Sequence, residues 1–162
     1  MKLRQEPDAE LDVLARNVIG AAIEVHGALG PGLPESIYER ALCVELDLRR
    51  IPHRRQVPVS VAYKGHLVGT GRLDLLVADS IIVELKSCAL APAHVTQLLT
   101  YLRAQSCLLG LLMNFDVPLL RQASAAQFQL PQPHNRTRGN PNLGALGALL
   151  WRPWRPSSRP SK

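Results

Sequence analysis

The stretch RLDLLVADSIIVELK, Arg72 to Lys86, sets the tightest limit on how this chain can fold. Its two apolar runs are short, rich in Leu, Ile and Val, and separated by Ala78, Asp79 and Ser80. That pattern predicts two strands joined at Asp79–Ser80, close enough to form a hairpin. Strands this apolar belong in a core, yet Asp74 interrupts the first, and Glu84 and Lys86 interrupt the second. Residues two apart share a face, so Glu84 and Lys86 project together while Leu85 packs behind the sheet. Carboxylates are costly to desolvate, and two held together repel, so these charges need a physical reason.

The flanking sequence supplies helices to cover such a sheet. From Pro7 to about Leu29, the residues Leu11, Leu14, Val18, Ala21, Ala22 and Val25 recur at helical spacing, with Asp8 as a cap. The run GALGPGLPES breaks that helix. A second helix is predicted from Pro34 to Arg50, with Ile37, Tyr38, Ala41, Leu42 and Leu46 inward. QVPVSVAY alternates Val57, Val59 and Val61 on one face, and Lys64–Gly65 is a turn candidate before HLVGTG. A third helix is expected over Ala93 to Ala104, and CLLGLLMNF then fits a buried strand, although periodicity alone leaves a helix open there. The order α-α-β-β-β-α-β describes an α/β domain with a central mixed sheet flanked by helices.

Charge separates this domain from the C-terminal segment. Residues 1–130 hold 13 Lys/Arg against 13 Asp/Glu, whereas residues 131–162 hold six Lys/Arg and no acid. The net charge of +6 therefore belongs to a Pro/Arg-rich segment that reads as a flexible tail, with a short helix expected in LGALGALLW. Basicity alone says little about what the domain binds. Within the domain, Arg49, Arg50, Arg54, Arg55 and Lys64 are the best candidates for a phosphate path. Cys43, Cys88 and Cys107 form no CxxC pair and read as buried thiols of a cytoplasmic protein. The charged N-terminus lacks the apolar region of a secretory signal, and no apolar run approaches the roughly 20 residues of a membrane span.

If the two strands pair, Asp74, Glu84 and Lys86 converge. A divalent cation relieves both the repulsion and the burial cost, and Mg²⁺ prefers carboxylate oxygen and water. Lysine beside it can orient a water or stabilise charge developing on a phosphate. A structural salt bridge at a sheet end satisfies the same three residues, and D…ExK by itself does not decide between them. His94, Gln97 and Tyr101 form one polar stripe on the third helix, able to contact a carboxylate, water or phosphate, or to be merely wet. Glu35 and Tyr38 stand at i and i+3 near a helix start, where a carboxylate suits the helix dipole and a tyrosine reads as core with its hydroxyl at the surface. Glu24 and His26 read as surface residues.

Gly32, Glu35 and Tyr38 spell GxxExxY, and GPGLPESIYERAL resembles the signature of the GxxExxY protein family. The likeness continues through RQVPVSVAYKG, GTGRLDLLV, IIVELKS, HVTQLLTYL and GLLMNF, roughly Asn17 to Pro118. It implies a restriction-endonuclease-like core of the PD-(D/E)xK nuclease superfamily. By that resemblance Asp74 is the motif acid, Glu84 and Lys86 are the ExK pair, and Glu35 is the helix carboxylate that completes the site. The resemblance further implies Mg²⁺ or Mn²⁺ held by Asp74, Glu84, Glu35 and the Leu85 carbonyl. Gln97 and Tyr101 resemble the QxxxY motif of RecB-like members; with them, His94 and Tyr38 are the candidate substrate contacts. The function implied is metal-dependent hydrolysis of DNA or RNA. A non-catalytic module binding nucleic acid or protein on the same fold is the alternative, and a salt-bridged structural domain the third.

Overall fold

The computed structural model describes residues 9–107 and 109–120. The Asp8 cap, the tail from Pro131 and the short helix expected within LGALGALLW lie outside them. Helix α1 (Ala9–Leu29) buries Ala15, Val18, Ala21, Ala22 and Val25 as one stripe. It stops at Gly30, whose φ of 70° is the left-handed turn that glycine enters without steric cost. Helix α2 (Glu35–Leu48) buries Tyr38, Glu39, Leu42 and Leu46. Ile37, expected inward, is 40% exposed, because it lies roughly 160° round the helix from Glu39.

Strands β1 (His53–Tyr63) and β2 (His66–Val77) form a long antiparallel hairpin closed by the expected Lys64–Gly65 turn. Strand β3 (Ile81–Lys86) returns antiparallel to β2. Ala78 and Asp79 both carry positive φ in the turn between them, matching the right-handed twist of the flanking strands. Helix α3 (Pro92–Gln105) then crosses over to β4 (Leu109–Asn114), which pairs parallel with β3. The sheet order is β1-β2-β3-β4. The last apolar run is thus a strand, buried along its whole length.

Helices cover both sheet faces, so there are two cores. On one side Val18, Ala22, Tyr38 and Leu42 meet Leu75, Val83, Leu85 and Leu111. On the other, Leu98 and Leu102 of α3 meet Val59, Leu73, Ile82 and Leu112. Strict alternation fails where the site lies. Leu73 packs toward α3, but Leu75, two residues on, packs toward α1 and α2. β1 makes the same exchange: Val57 joins the α3 side, while Arg55 reaches Glu39 of α2. Between them lie Asp74 and Gln56, and Gln56 has a left-handed φ of 53°. A local kink in a strand re-aims its side chains. Here it reassigns the faces of β1 and β2 at Asp74.

Candidate active site

The β2–β3 ladder ends at Leu75 opposite Val83. One step further Asp74 would face Glu84, and there side chains take over the main-chain bonds. The Leu85 N–H donates to Asp74 Oδ2 at 2.8 Å, and the Asp74 N–H to Glu84 Oε1 at 3.4 Å. The strands fork, and both acids sit in the fork. Lys86 Nζ lies 3.6 Å from Glu84 Oε2, its side chain 12% exposed against 1% for the glutamate. An apolar strand can end in these charges because each has a partner at this point.

That partnering is incomplete for the acids. Burial, and then repulsion from Asp74, push Glu84 up to about 8, against the pull of Lys86. Burial also raises Asp74, opposed by the Leu85 N–H and Lys86. Glu35, in the first turn of α2, is raised by burial too, while Lys86 draws it back and the Ser87 amide favours its charged form. Three carboxyls thus hold protons more tightly than usual around one ammonium, chiefly because burial disfavours their charged forms.

The donor set fits a hard cation in one particular way. Among the described residues no three His, Cys, Asp or Glu side chains gather into a metal cage. Mg²⁺ needs no such cage, since it keeps several waters and takes one or two carboxylates. Asp74 and Glu84 could supply those two. Leu85 aims its N–H at Asp74, and in a strand the carbonyl of the same residue points to the same edge. An oxygen donor thus faces the fork.

Helix α3 brings its polar stripe to the neighbouring part of β2. Gln97 Nε2 donates to Tyr101 Oη at 3.1 Å. The Tyr101 ring lies so close to β2 that a Cβ on Gly71 would stand 2.7 Å from its Cε1. Gly71 is three residues before Asp74, so Tyr101 can lie close only because that position has no side chain. His94 spends its Nδ1 on its own helix start, accepting from the Ala91 N–H at 3.2 Å.

Several sequence expectations change here. Tyr38 is 1% exposed, with its hydroxyl bonded to main chain, so it offers no surface to a substrate and its hydroxyl does not reach the exterior. His26 is buried, its Nε2 2.9 Å from the Val117 carbonyl, where a surface residue was expected. Cys88 is exposed rather than buried, and Cys43 is half-buried. Of the five phosphate-path cations, Arg49, Arg54 and Arg55 are paired with Glu45, Asp79 and Glu39. Sequence reasoning missed Glu39, which is buried and accepts from both Arg55 and Gln56 at the kink opposite Asp74. It also passed over Gly71, although an isolated glycine in a strand signals close approach.

The family model for the PD-(D/E)XK nuclease superfamily matches residues 12–126, which takes in the fork, Glu35 and the α3 stripe. No curated protein and no solved structure matches the chain. The matched span is well over half of the sequence and contains the acids and lysine that the geometry had already gathered. This chain belongs to the PD-(D/E)XK nuclease superfamily.

Proposed function

We propose that the protein is a divalent-ion-dependent nuclease that hydrolyses phosphodiester bonds in DNA or RNA, with the GxxExxY helix carrying part of its site. The observation that carries this reading is the fork, where two carboxylates, Asp74 and Glu84, meet beside the single ammonium of Lys86. Asp74, Glu84 and the Leu85 carbonyl would hold Mg²⁺ or Mn²⁺, with Glu35 as auxiliary carboxylate. When bound, the ion supplies positive charge against the phosphate oxygens and makes a water easier to ionise.

The chain's own groups do the rest. The Leu85 N–H fixes the Asp74 carboxylate, so one of its oxygens is oriented before substrate arrives. The Lys86 ammonium reaches the fork from Glu84 and orients the attacking water, or faces the charge growing on the phosphate. Water attacks phosphorus in line, the opposite P–O bond breaks, and a proton passes to the departing oxygen. Gln97 and Tyr101 stand beside β2 as contacts for the phosphate backbone. The wild-type protein with Mg²⁺ or Mn²⁺ is expected to cleave DNA or RNA, and Lys86→Ala to lose at least about a hundredfold in rate. Absence of cleavage on every nucleic acid offered, or an undiminished Lys86→Ala variant, overturns the proposal. Metal-independent binding without turnover would instead support the non-catalytic module.

A further inference from the structure

Tyr38 sits in the core with three contacts of its own, two to the loop before α2 and one to the segment that follows Lys86. Its Oη donates to the Gly30 carbonyl at 2.5 Å and accepts from the Leu33 N–H at 3.1 Å. Its ring stacks on Phe115, centroids 4.5 Å apart and planes 24° from parallel. The Phe115 N–H in turn donates to the Lys86 carbonyl at 2.7 Å. One helical turn before Tyr38, on the same side of α2, stands Glu35, whose carboxylate faces the Ser87 amide.

The start of α2 has a particular need for such support. Its N-cap is Pro34, which makes no side-chain cap bond. The first turn, Glu35 included, therefore lacks the usual tie to its exposed amides. Leu33 and Tyr38 occupy the N′ and N4 positions of a hydrophobic staple, and the hydroxyl adds two hydrogen bonds to it. Gly30 and Gly32, both with positive φ, let the loop close over that hydroxyl.

We infer that Tyr38 is a positioning residue: it ties the loop that sets Glu35 to the segment that sets Lys86, and so fixes the helix carboxylate against the strand lysine. It touches neither substrate nor ion. The inference deepens the nuclease reading, but the placement it describes exists without any nucleic acid.

Amide hydrogen exchange on the metal-free protein tests it, followed residue by residue by NMR. Tyr38→Phe keeps the ring and removes the hydroxyl. The Ser87 amide, which Tyr38 does not touch, is expected to exchange about five- to tenfold faster, with Phe115 unchanged. Tyr38→Leu removes the ring as well and should speed Phe115 too. Leu46→Ala, a cavity in the same core away from this circuit, is the control and should leave the ratio of Ser87 to Phe115 exchange as in wild type. Unchanged Ser87 exchange in Tyr38→Phe, or an equal rise in the ratio of Ser87 to Phe115 exchange in Leu46→Ala, overturns the inference. If Ser87 responds as expected while the wild type cleaves nothing, the positioning stands and the nuclease reading falls.

Discussion

Replacing Glu84 by glutamine should stabilise the metal-free protein while disabling its site. Glu84 is 1% exposed and pushed from 4.5 up to about 8 by burial and by Asp74. Its folded-state pKa thus lies above the unfolded one, so between them the native state binds the proton more tightly. Stability from this group is complete below the unfolded value and is lost as pH rises through about 8. Integrated from pH 5 to pH 9, the loss is about 4 kcal/mol. Glutamine keeps an oxygen to accept the Asp74 N–H and removes the titration. Urea unfolding of wild type and Glu84→Gln, each without metal at pH 5, 7 and 9, measures this directly. The variant should be the more stable by a margin that widens with pH, exceeding about 2 kcal/mol at pH 9. Adding Mg²⁺ at pH 8 should raise the wild-type midpoint and leave the variant unmoved. If the two proteins stay within about 0.5 kcal/mol across the range, the size of an ordinary surface substitution, the fork is wetter than its geometry implies and the argument fails.

Other outcomes come from the packing around the fork. Gly71→Ala forces a methyl into the Tyr101 ring and should cost about 1–3 kcal/mol; adding Tyr101→Ala should restore most of it, and a thermal melt of both variants decides. Glu39→Ala leaves Arg55 and Gln56 without their shared acceptor, but Arg55 is 48% exposed and can turn to water. A loss of about 1–2 kcal/mol is expected, with a larger drop in cleavage, since the kink opposite Asp74 loosens. Leu98→Ala, in the core between α3 and the sheet, should cost about 2–5 kcal/mol and be partly relieved in Gly110→Ala/Leu98→Ala, because Leu98 lies 2.8 Å from where that methyl would sit.

Much of the architecture was legible from period alone. The stripes of α1 and α2, the hairpin through Lys64–Gly65 and the apolar β3 follow from which residues can share a face with the core. The ExK pair was legible for the same reason: two strand residues two apart, charged in an otherwise apolar run. Chain order, hydrophobic period and the presence of the acids were properties of the sequence. What they did together was not. No local pattern announces that the β2–β3 ladder ends at Leu75, beside Asp74, or that β1 and β2 exchange faces at Gln56, because both depend on contacts between strands and with α2 that no single stretch contains. His26 and the hydroxyl of Tyr38 were misjudged for the same reason, although the Tyr38 ring lies in the core as expected. A polar residue on a helix reads as surface until a main-chain carbonyl from another segment comes to meet it, as those of Val117 and Gly30 do. The sequence alone determined which groups carry charge; tertiary contact decided which of those charges are buried, and burial is what shifts their proton affinity and gives the fork its chemistry.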